Sequence, residues 1–121
     1  MSAAVWIGVA VLGGAGACGR FLLDSLISAR AHSDLPIGTL TINATGSLLL
    51  GLLTGLAVEG NLLILAGTAT LGSYTTFSTW MLETHRLAED GEGPTAIINV
   101  VLSLAVGVGA AALGRAIGVS T

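Results

Sequence analysis

The 121-residue sequence has no lysine, one cysteine and two prolines, and only 9% of it is charged. Each shortage excludes something. A single cysteine makes neither a disulfide scaffold nor a Cys-rich zinc site. Four arginines under a net charge of −3 cannot form the basic stripe that nucleic acid requires, so no nucleic-acid partner is expected. A soluble domain carries about 25% charged residues, far more than this chain has, and 53% hydrophobic content leaves no room for a disordered tail. What remains is an integral membrane protein.

The arrangement of the apolar residues agrees. Segments fall at about 3–23, 37–57, 62–84 and 95–116, each near the ~20 residues that cross a ~30 Å hydrocarbon layer. Most charges lie between them, with Arg20, Glu83 and Arg115 inside a segment but near its end. The expectation is an all-α, multi-pass membrane protein of one domain, residues 1–121, with four transmembrane helices. Ala15-Gly16-Ala17 before Cys18 has the form of a processing site, but no basic region precedes it. The first segment is therefore expected to stay in the protein, with Cys18 as a small packing residue. Pro36 suits the first position of the second helix. Val58-Glu59-Gly60-Asn61 is short enough to make helices two and three an antiparallel hairpin, and His32 and His85 read as surface residues of the connections. Small residues line one face in each of three segments: Gly13 and Ala17; Gly51 and Gly55; Gly107, Ala111, Gly114 and Gly118. Such faces let backbones approach closely in lipid, and their number favours packing against a second protomer.

The informative side chains are neutral. Thr39 and Asn43, four apart, share a face of the second segment. An unpaired amide is costly there. Asn43 is therefore either glue between helices or an NH₂ donor facing an aqueous path. The third segment carries Ser73, Tyr74, Thr75, Thr76, Ser78 and Thr79 in close succession. Gly72 and Ser73 are poor helix formers, which predicts a break there, and broken helices free carbonyls that transporters use to hold cations. Phe77, Trp80 and Glu83 follow at i, i+3 and i+6, a stripe that is either core or pore lining. Donors and ring edges without a deep carboxylate favour an anion. Composition does not say which.

Taken in order, these stretches resemble the CrcB-type (Fluc) fluoride channel family of small bacterial and archaeal membrane proteins. Gly13 through Phe21 is similar to its glycine-rich first-helix motif ending in arginine and an aromatic. Pro36-Ile37-Gly38-Thr39-Leu40 with Asn43 and Gly46 is similar to the second-helix motif. Thr75-Thr76-Phe77-Ser78-Thr79-Trp80 with Glu83 resembles the third, and Asn99 and Ser103 correspond to fourth-helix positions. The resemblance implies a passive, fluoride-selective channel of the cell membrane that lowers cytoplasmic fluoride, and no enzyme. It implies an antiparallel, dual-topology dimer formed with a second copy or a paralogous chain, surrounded by membrane lipid. Phe77, Trp80, Asn43, Thr39, Thr79 and Ser103 would line the fluoride path, and Arg20 and Glu83 would lie in the vestibule. The carbonyls of Gly72 and Thr75 would hold a structural Na⁺ at the dimer centre. Two positions depart from the pattern: Trp80 where phenylalanine is common, and Ser73 where a second glycine is frequent. The indole either narrows the path or adds a hydrogen bond.

Two other readings exist. A small multidrug-type antiporter needs a deep acid in its first helix, and residues 3–19 contain none. A non-transporting membrane subunit leaves Asn43 and the hydroxyl run without a task. No phosphate-binding G-x-x-x-x-G-K-[ST] motif points to active transport. Arg115 on one side, against Arg30 and Arg86 with Arg20 close by on the other, is too slight a bias to fix an orientation.

Overall fold

Ser2 starts the first helix. In the computed structural model, which describes all 121 residues, its hydroxyl accepts the Val5 N–H at 3.3 Å, and α1 runs from there over Ala3–Arg30. The helix continues past the expected end at residue 23. Ser25 donates back to the Phe21 carbonyl at 2.7 Å and Ser28 to the Asp24 carboxylate at 3.2 Å, so the polar residues are absorbed within the helix. No proline intervenes before Pro36. That residue caps α2 (Ile37–Gly55) rather than occupying its first turn.

α2 ends in a Schellman turn. Val58 N–H donates to Leu53 C=O and Ala57 N–H to Thr54 C=O, both at 3.0 Å, with Ala57 at φ 57°. The third apolar segment comes in two pieces. α3 comprises Gly60–Leu62, a π-wound stretch Leu63–Leu71, and one last α turn Gly72–Tyr74. α4 is Ser78–Glu89. It closes with the same hydrogen-bond pair as α2, here with Gly91 in the left-handed position. α5 spans Gly93–Ser120, with Pro94 in its first turn.

The helices pair by their small faces, but within the chain. Gly51 and Gly55 on α2 lie against the backbone of Ala111 and Arg115 on α5, and Gly114 and Gly118 meet α2 at Leu48 and Leu52. A Cβ at any of these four glycines would run into backbone atoms. The faces on segments two and four, expected to favour a second protomer, are therefore consumed by each other. The short turn after α2 joins an antiparallel pair, with Asn43 opposite Thr76, Thr45 opposite Tyr74 and Leu50 near Gly67, but α2 packs more extensively on α5, and α3 on α1. Gly16 of α1 sits against the Thr70 carbonyl and the Ser73 hydroxyl.

α1, α2 and α5 are each long and apolar enough to cross a membrane. Trp6, Ile7, Val11, Phe21, Leu22 and Leu26 stand exposed along α1, as do Ile97, Val101 and Val108 along α5. So much exposed apolar surface suits lipid rather than water. Cys18, expected as a packing residue, is exposed as well.

Candidate functional site

The break in the third segment lies at Thr75–Phe77, not at Gly72 and Ser73, which remain helical. Its cause is a residue on another helix. Thr75 turns extended (ψ 159°) while its N–H and its hydroxyl both return to Leu71 C=O at 3.0 Å. The next N–H, of Thr76, donates to Asn43 Oδ1 at 2.8 Å, and Asn43 Nδ2 donates to Thr76 C=O at 2.8 Å. Asn43 thus replaces the helical partners of one residue on both sides. Thr76 then starts α4: its hydroxyl oxygen accepts the Thr79 N–H at 3.2 Å. The break leaves the positive, N–H end of α4 beside Phe77 and the negative, carbonyl end of α3 across from it. Tyr74 pins the end of α3 to α2 through a 2.9 Å hydrogen bond between its hydroxyl and that of Thr45.

A groove of about 670 Å³ opens at the break, and Asn43, Thr76, Phe77, Trp80 and Ser103 line its polar part. No carboxylate and no arginine borders it. Phe77 is 70% exposed, and its ring meets that of Trp80 edge to face, centroids 5.6 Å apart and planes at 88°. Thr39 and Thr79, expected beside them, are not on this lining. Thr39 is buried and donates its hydroxyl to Glu83, which joins α2 to α4. Thr79 accepts from the Thr76 hydroxyl at 3.1 Å.

Arg20 reaches the break itself, donating from Nη1 to the Thr75 carbonyl at 3.4 Å. That bears on the Na⁺ implied by the resemblance. No cluster of His, Cys, Asp or Glu is placed to hold a metal, so carbonyl oxygen is the available donor. The Gly72 carbonyl suits a hard cation: its helical donor, the Thr76 N–H, is taken by Asn43, and no other hydrogen bond reaches it. Thr75 C=O already faces a guanidinium but retains a second lone pair. Two carbonyls from one chain fit Na⁺ in kind and fall short in number.

Sequence reasoning did not find the buried Asn99, whose Nδ2 donates to Thr84 Oγ1 at 2.9 Å, as a structural partner of Trp80. The available signal was an amide in an otherwise apolar run.

The family model described as "CrcB-like protein, Camphor Resistance (CrcB)" matches residues 7–115. The chain is 50% identical over 115 residues to the "Fluoride-specific ion channel FluC 2" of Mycobacterium bovis, covering 95% of this chain and 91% of that one. It is also 50% identical over 109 residues to "Fluoride-specific ion channel FluC 1" of Nocardia farcinica, covering 89% and 77%. Against "Fluoride-specific ion channel FluC 1" of Symbiobacterium thermophilum the identity is 42% over 119 residues, covering 93% and 96%. Together with the apolar helices, these relatives make the chain a multi-pass membrane protein. A match across nearly the whole length, at such identity, establishes that the chain belongs to the CrcB family.

Proposed function

We propose that the protein is a fluoride channel, not an enzyme, and that it lets the anion leave the cell passively. The observation that carries this is the groove at the break, where donors and a ring edge converge without any carboxylate. An anion beside Phe77 would meet the electropositive edge of the ring, the Asn43 amide, the Ser103 hydroxyl and the N-terminal end of α4. Each takes over part of a hydration shell, and none holds the anion with a full charge that would retain it.

The finer architecture is part of the same reading. α3 and α4 together would make a fourth crossing, the whole chain forming one domain over residues 1–121. The groove is open on one side, which favours closure by a second copy or a paralogous chain inserted the other way up. Phe77, Trp80, Asn43 and Ser103 would line the path. Thr39 and Thr79 would act one step behind it, and Arg20 and Glu83 would shape its approaches. Gly72 and Thr75 would give carbonyls to a Na⁺ shared between the chains, neutralising the facing α3 ends.

Purified protein in liposomes loaded with potassium fluoride tests the function. With a potassium ionophore present, fluoride efflux should be fast and chloride efflux negligible. Fluoride efflux no faster than from empty vesicles would end this reading.

A further inference from the structure

Trp80 borders the groove, and its indole N–H already has an acceptor. It donates to the main-chain carbonyl of Asn99 on α5 at 3.4 Å. The Asn99 side chain, 2% exposed, donates to Thr84 Oγ1 at 2.9 Å, and the Thr84 hydroxyl donates to the Trp80 carbonyl at 2.8 Å. Three hydrogen bonds thus close a ring through residues 80, 84 and 99, tying α4 to α5 behind the aromatic pair. The Thr84 oxygen serves twice, accepting once and donating once, as a hydroxyl can and a methyl cannot.

We propose that Asn99 and Thr84 are positioning residues of the permeation site: their circuit holds the Trp80 ring at right angles to Phe77 and keeps its N–H turned away from the passing anion. This rests on the fluoride-channel reading. The reasoning is chemical. A free indole N–H in the groove would give an anion a charge-assisted hydrogen bond, roughly twice as strong as a neutral one. Conduction needs sites that bind weakly enough to release. With its N–H committed to α5, Trp80 offers the anion only a ring, as a phenylalanine would. The circuit is therefore what lets a tryptophan occupy this place without becoming a trap.

The test uses the full chain in a Trp6→Phe background, since Trp6 is exposed on α1 away from the groove; Trp80 is then the only tryptophan. Thr84→Val keeps the shape and removes both hydroxyl bonds, Asn99→Leu removes the amide, and Thr84→Ser restores the hydroxyl. Thr84→Val and Asn99→Leu should each lower fluoride efflux about three- to tenfold, the range expected for one or two lost hydrogen bonds. Both should lower the fluorescence anisotropy of Trp80 and make its emission respond to added fluoride, while Thr84→Ser should match the parent. In a Trp80→Phe background, with no N–H to restrain, Thr84→Val should cause no further fall. An equal fall there, or a Thr84→Ser that behaves like Thr84→Val, would overturn the proposal, because the pair would then merely support the helices. Should the parent pass no fluoride, the channel reading fails. The anisotropy comparison still judges the circuit, and unchanged anisotropy in Thr84→Val refutes it.

Discussion

Asn43→Leu should destabilise the protein by about 2–6 kcal/mol, and the figure follows from what the amide holds. Leucine has the same branching and is no smaller than asparagine, so cavity formation contributes little. What is lost is a pair of hydrogen bonds, each 2.8 Å, to the N–H and C=O of Thr76. Side-chain hydrogen bonds between membrane helices average only about 0.6 kcal/mol, because both groups find other partners when the bond is cut. Two such bonds give little more than 1 kcal/mol. The Thr76 groups are different: they belong to backbone at a break, in a residue that is itself buried. Each of the two groups left without a partner costs about 1–3 kcal/mol, which raises the expected total to about 2–6. Equilibrium unfolding in mixed detergent micelles, followed by tryptophan fluorescence, measures it. Thr39→Val, which removes one hydrogen bond to Glu83, serves as the scale and should cost about 1 kcal/mol. An Asn43→Leu protein within about 0.5 kcal/mol of the parent would mean that the two orphaned backbone groups carry no such cost. The clamp would then be an accompaniment of the break and not its cause.

Three further outcomes can be checked. Phe77→Ile keeps bulk and removes the ring edge; losing about 3 kcal/mol at the barrier slows fluoride efflux roughly 100-fold, and parent-like flux from a folded variant would remove Phe77 from the path. Ala57→Gly places glycine at the left-handed position of the α2 Schellman turn, matching Gly91 at the end of α4. It should stabilise the protein by about 1 kcal/mol in the same unfolding measurement, and a loss of stability would contradict the turn geometry. Gly72→Val should spare the protomer, since a Cβ there meets nothing nearer than the Gly67 carbonyl at 3.8 Å. A β-branched residue beside the proposed carbonyl site should lower the dimer fraction on size exclusion in Na⁺, and an unaltered dimer would argue against a shared Na⁺.

The limits of the sequence reading have physical causes. Hydropathy marks where lipid stops, not where a helix stops. The segment ending near residue 23 therefore belongs to a helix that reaches Arg30, carried past the boundary by serines that satisfy themselves within it. The break was legible as an event, from two poor helix formers in mid-segment, and was misplaced at Gly72 and Ser73 because propensity is local. What interrupts the ladder is an amide 33 residues away from Thr76. Phe77, Trp80, Asn43 and Ser103 do come together around one groove, while Thr39 turns to Glu83. A shared helical face tells which way a side chain points without naming its partner. The same is true of the glycine faces, whose partners on α2 and α5 lie far apart in the chain.

That seam between α2 and α5 also governs the order in which the protein can be made. α2 precedes α3 and α4 in the chain, and its principal partner follows only after both. Until then the glycines at 51 and 55 lie bare in lipid, offering a close-packing groove to any helix with a matching small face. α5 of another copy has such a face, so an exchanged pair is the natural assembly error of this chain, the membrane counterpart of domain swapping. Biogenesis is therefore most exposed while the middle of the chain is being inserted. A delay in supplying α5 would leave the break between α3 and α4 already formed, with the Asn43 helix that clamps it not yet fastened to its own support.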